Sequence, residues 1–230
     1  MSASPKLRDL IRVAAIVAAL WSLSSYLYFW LEPRVGAQIG YNDAPFVFAV
    51  FYALWSAMAF AIFQRDYLRL GDLSATWGRG AAIGVAVFVA AAFVLTVAFK
   101  LPTMEWDRPN TPVQFFYATG WYAVPKSMEI LFQQLLVAAL VAAVWRQGYR
   151  LWQISCVVAV LFGAFHLTLG LSYPNPLYVM RYSVAATIFG ALVPVFLLRV
   201  PNGFLISYAV HWIYYAVDYV AIHLVFGASG

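Results

Sequence analysis

The chain has 230 residues, of which 64% are hydrophobic and only 10% charged, with a mean hydropathy of +0.80. Soluble domains are about half apolar and about a quarter charged, so this composition excludes a soluble domain and specifies an integral membrane protein. The formal charge of +5 does not mark a nucleic-acid binder, because the basic residues stand singly or in pairs at helix ends, where membrane topology and lipid headgroups place them.

Spans of about 20 mostly apolar residues are predicted at 10–31, 45–64, 80–99, 127–145, 151–170, 182–199 and 203–226. The reading is an all-α, polytopic bundle of about seven spans in one transmembrane domain, 1–230. Its parts are three N-terminal helices (1–100), an interfacial loop (101–126) and a C-terminal core (127–226). Lys6, Arg8 and Arg12 precede the first span, but the apolar run continues through Trp30 without a small-residue cleavage site, so it is read as a retained helix. The breaks follow Glu32-Pro33-Arg34, Gln64-Arg65-Asp66, Lys100-Leu101-Pro102, the hairpin Trp145 to Arg150, Pro174-Asn175-Pro176 and Pro201-Asn202-Gly203. Gly80 and Gly84 form a small-xxx-small pair suited to close helix packing. Cys156 sits in an apolar run and reads as a buried small hydrophobe.

Basic residues set the orientation. With the N-terminus inside, the inner face holds Lys6, Arg8, Arg12, Arg65, Arg69, Arg79, Arg146, Arg150 and Arg199. The outer face holds Arg34, Lys100, Arg108, Lys126 and Arg181. Nine against five predicts a cytoplasmic N-terminus and an outer C-terminus in a multi-pass protein of a bacterial plasma membrane. The aromatic segment 115–124, with Tyr117, Trp121 and Tyr122, is half a span long; it is read as interfacial, with a re-entrant loop as the other option.

Ionisable residues within spans are costly and are functional candidates for that reason. Here they are Glu129, His166, His211, Asp218 and His223. On the predicted helices, Glu129, His166 and His211 approach the same leaflet from three spans, as acid–base chemistry or metal binding would require. The blander readings are a helix-start carboxylate for Glu129, interhelical hydrogen bonds for the two histidines, an interfacial position for His223, and neutralisation of His211 or an arginine by Asp218.

Three segments carry a resemblance. SMEILFQQLL (Ser127 to Leu136) resembles the first motif, Glu-Glu-x-x-x-Arg, of the CPBP family, which comprises CAAX prenyl endopeptidases and bacteriocin-processing or abortive-infection membrane proteins. LFGAFH (Leu161 to His166) resembles the second motif, Phe-x-x-x-His. NGFLISYAVH (Asn202 to His211) resembles the approach to the third, His-x-x-x-Asn. Order and spacing agree over about residues 120–225. The resemblance implies an intramembrane peptidase in which a first-motif carboxylate and the second-motif histidine activate water, and the third motif stabilises the oxyanion. Carried onto this sequence, the catalytic positions are Glu129, His166, His211 and Tyr215, with no metal ligand and no cofactor.

The sequence departs from the family at Met128, in place of the first Glu; at Gln133, in place of Arg; and at Tyr215, in place of Asn. Loss of one carboxylate together with one guanidinium keeps the local charge balanced, as a site that abandons chemistry while keeping its fold would do. The substitutions therefore favour an inactive or repurposed CPBP-type protein, a pseudoenzyme acting through other membrane proteins. The alternative is an active peptidase on membrane-embedded peptides, using Glu129 and His166. A second alternative is a membrane subunit whose histidines ligate a cofactor. The lipid bilayer is the one partner that composition alone implies, and nucleic acid is excluded.

Overall fold

The computed structural model describes residues 5–37, 40–70, 77–98, 100–104, 120–171 and 176–226. Among them are seven α-helices and no strand: α1 (Pro5–Leu31), α2 (Pro45–Arg69), α3 (Trp77–Ala98), α4 (Ala123–Trp145), α5 (Leu151–His166), α6 (Pro176–Arg199) and α7 (Gly203–Phe226). Six are long and apolar enough to cross a membrane, and α3 adds a shorter apolar stretch at Ala82–Val94. The chain is thus an all-α, polytopic helix bundle.

Helix α4 is the axis of the bundle. Of its apolar window 83% is buried, against 17–44% in the other five long spans, and α1, α2, α3, α5, α6 and α7 all pack against it. Those outer helices turn large apolar side chains outward, among them Leu54, Val85, Phe93, Val160 and Val217. So much exposed apolar surface suits lipid rather than water. Inside, an aromatic cluster joins α1, α2, α4 and α7 through Tyr28, Phe48, Trp55, Phe132 and Trp212. An aliphatic cluster, including Val141, Val158 and Val193, joins α4, α5 and α6.

Several boundaries differ from the sequence expectation, three of them where a charge finds a partner instead of water. Helix α2 runs past Gln64 to Arg69, because Asp66 pairs with Arg146 at the end of α4. Helix α6 begins at Pro176 rather than 182; proline is favoured at a first helical position, and Arg181 is held by Asp218 at 2.7 Å. Helix α4 begins at Ala123, which puts Lys126 inside the helix rather than in a loop. Helix α5 ends at His166, and a 3-10 turn covers Leu167–Leu171. The hairpin to α5 turns at Gly148, φ 86°, and the α6–α7 turn at Asn202, φ 58°, where glycine and asparagine tolerate the left-handed region.

Three local expectations are corrected. Gly84 has open space around it, whereas close packing lies between α5 and α6: a Cβ on Gly190 would meet Ala159 Cα and Val158 O at 3.0 Å, and one on Gly163 would collide with Thr187. Cys156 is exposed, since α5 buries the stripe Ile154, Val158 and Phe162 and Cys156 lies about 200° around the helix from Ile154. Of the aromatic segment 115–124, residues 115–119 lie outside the described residues. Trp121 is exposed but Tyr122 is 2% exposed, because its 3-10 turn feeds directly into α4.

Candidate functional site

Helix α4 presents Lys126, Glu129 and Gln133 at i, i+3 and i+7, one face of a helix. That face borders a cavity of about 180 Å³. The other walls include Trp21, Ser24, Ser25 and Tyr28 from α1, Tyr41 from the α1–α2 connection, Tyr52 from α2, Tyr122 from the turn before α4, His166 from α5, Tyr178 and Tyr182 from α6, and Tyr215 from α7. Seven of the described lining residues are tyrosines. The space admits several waters or a small polar group, and is smaller than the roughly 300–1,000 Å³ of ordinary ligand clefts.

Glu129 is held by three side chains of the chamber. Its Oε2 accepts from the Tyr41 hydroxyl at 2.8 Å and lies 2.8 Å from Lys126 Nζ. Its Oε1 accepts from Gln133 Nε2 at 2.8 Å. Tyr41 lies between the spans and is 3% exposed. Burial first, and then the negative charge of Glu129, push its phenol well above the ordinary value, so it stays a hydrogen-bond donor to the carboxylate. Lys126 also lies 3.9 Å from the centroid of the Tyr215 ring, a cation–π contact. The opposite charge, the ring and the carboxylate's three donors are what make a buried ion pair tolerable.

His166 shares this chamber. Its Nδ1 is 2.8 Å from Phe162 O; a carbonyl only accepts, so Nδ1 carries the proton, and Nε2 keeps its lone pair in the neutral ring. His211 does not line the cavity. It is 6% exposed, its ring lies 5.3 Å from that of Tyr215, and its Nδ1 is 3.3 Å from Gln134 Nε2. Gln134 in turn accepts from Ser207 Oγ at 3.1 Å. Nearby, Ser127 Oγ accepts from Trp212 Nε1 at 3.0 Å, and Tyr208 donates to Ser127 O at 3.2 Å. These bonds stitch α4 to α7 on a face separate from the Glu129 face.

The structure therefore brings Glu129, His166 and Tyr215 to one cavity and leaves His211 outside it. Met128, the neighbour of Glu129, packs against the aromatic core and does not line the chamber. Asp218 pairs with Arg181 and accepts from Tyr182 at 3.0 Å, in line with the reading that an arginine neutralises it. His223, expected at the interface, is 4% exposed and its ring stacks on that of Tyr219.

Sequence reasoning missed Lys126, which it counted as an outer-face charge. The i, i+3 spacing to Glu129 was the signal available. It also missed the aromatic wall from α1 and α2, which carries no motif. Among the described residues, no group of three or more His, Cys, Asp or Glu is placed to hold a metal ion. No protein-family model, no curated protein and no solved structure matches the chain.

Proposed function

We propose that this is a CPBP-type membrane protein whose first-motif glutamate holds the bundle together rather than activating water, and which acts through other proteins in the membrane. The observation that carries this reading is that Lys126, Tyr41 and Gln133 take up three of the about four lone-pair sites of the Glu129 carboxylate, both of those on Oε2. A general base for hydrolysis needs a lone pair aimed at a water in the reacting position, and three donors converge on this carboxylate instead. The sequence departures at Met128 and Gln133 support the same reading, as does the position of His211 behind the Tyr215 ring rather than on the cavity lining. The nine-to-five basic count supports a cytoplasmic N-terminus. The test is incubation of the purified protein with a panel of prenylated and transmembrane peptides, read by mass spectrometry. The expected result is no cleavage; cleavage lost on Glu129→Ala in a folded variant overturns the proposal.

A second reading, an active peptidase, is favoured by one observation: His166, with Nε2 as its basic nitrogen, borders the same cavity as Glu129. The same assay decides it. The cofactor reading has less support, since only one of the two histidines faces the chamber, and an absorption spectrum without a Soret band removes it.

A further inference from the structure

At the opposite end of α4 a second cavity, of about 660 Å³, is lined by Asp9 and Arg12 of α1, Ala61, Ile62, Gln64, Arg65 and Asp66 of α2, and Arg146 in the turn after α4. Its floor is Arg146, 19% exposed at its side chain, which pairs with Asp66 and with Asp9, the latter at 2.9 Å. Arg12 uses one nitrogen on Asp9 at 2.9 Å and is otherwise open, with 69% of its side chain exposed. Arg65 has no hydrogen-bond or ion-pair partner among the described residues. Three guanidinium groups thus face two carboxylates, and the excess is one positive charge.

The location supplies the second half of the argument. The candidate spans of α1, α2 and α4 begin or end at Leu7, Leu68 and Trp145, so this cavity lies at the boundary of the apolar belt, at headgroup depth. About one turn deeper than Arg65, Ile62 belongs to the lining and is 46% exposed. A ligand here meets guanidinium donors at its head and bare aliphatic surface below. Planar guanidinium groups match phosphate oxygens. A free phosphate matches only the upper half of the site.

The geometry points to a binding site for the phosphodiester of an anionic phospholipid, with Arg12 and Arg65 as its donors, Arg146 as the fixed floor, and an acyl chain along Ile62. The site is independent of the Glu129 chamber and of what that chamber does.

The experiment places the full chain in nanodiscs of equal parts phosphatidylcholine and phosphatidylglycerol. Lipids that stay bound on release are then counted by native mass spectrometry. The wild type is expected to retain phosphatidylglycerol in preference to phosphatidylcholine. Arg12→Gln and Arg65→Gln should each cut that preference about five-fold, corresponding to about 1 kcal/mol per basic residue near a membrane surface. The control variant Arg150→Gln/Arg199→Gln, which removes two exposed charges elsewhere, should keep it. Equal retention of both lipids, or a loss no larger in the Arg12 and Arg65 variants than in the control, overturns the proposal. Displacement of the retained lipid by excess inorganic phosphate overturns the lipid assignment in favour of a free-anion site.

Discussion

Lys126 Nζ stands 2.8 Å from Glu129 Oε2, with side chains only 7% and 14% exposed. Two opposite charges three residues apart on one helix are ordinary at a water-exposed surface, where such a pair contributes a few tenths of a kcal/mol. Inside a bundle the pair is a different object. Its members cost much to desolvate, and removing either strands the other.

The donors around Glu129 give the first prediction. Tyr41→Phe should lower stability near neutral pH by about 1 kcal/mol, the net value of one hydrogen bond, or somewhat more because the acceptor is charged. The same variant has an alkaline signature. The folded-state phenol is raised above its ordinary value, so at high pH the native state binds a proton that the unfolded chain has released. Stability must then fall as pH rises above about 10, the ordinary phenol value. Thermal unfolding in detergent across pH should show a shallower alkaline decline in Tyr41→Phe than in the wild type. Identical slopes would remove Tyr41 from the chamber.

Helix packing gives the second. Gly190→Leu drives a side chain into backbone 3.0 Å from the ideal Cβ and should cost about 1–3 kcal/mol, as overpacking does. Gly84→Ala, with nothing within 4 Å of its Cβ, should leave the melting temperature unchanged or slightly raised. Reversed effects would relocate the tight interface to the glycine pair read from the sequence.

The third concerns topology. Reporter fusions at Met1 and Gly230 should report opposite sides of the membrane, with the N-terminal reporter cytoplasmic, if α3 crosses along with the six long spans and the basic-residue asymmetry sets the orientation as proposed. Both reporters on one side would point first to a crossing by the aromatic segment 115–124, or to α3, the shortest apolar stretch, not crossing.

The number and order of helices were legible because apolar runs long enough to span leave a signal in composition alone. Their ends were less legible, for one recurring reason. A charged residue in a sequence reads as the edge of the membrane, yet Asp66, Lys126 and Arg181 each find an opposite charge inside the fold and the helix continues past it. In the chamber, Glu129 and His166 were legible as costly residues at similar depth. That His211 shares their leaflet but not the cavity lining was not legible, because depth says nothing about which way a helix face turns: Gln134 and Ser207 draw it towards the α4–α7 seam. The tyrosine wall from α1, α2 and their connection was not legible at all, since its residues meet only through tertiary packing.

The account rests on Glu129 being half of an ion pair that the fold requires, and a double-mutant cycle on thermal or denaturant stability tests that most directly. Lys126→Met and Glu129→Gln should each destabilise strongly, on the order of 3–5 kcal/mol for a broken buried pair. The double variant, which leaves no orphaned charge, should recover most of that loss. Single variants that remain as stable as the wild type, or losses that simply add in the double variant, would contradict the account and return Glu129 to the list of residues available for chemistry.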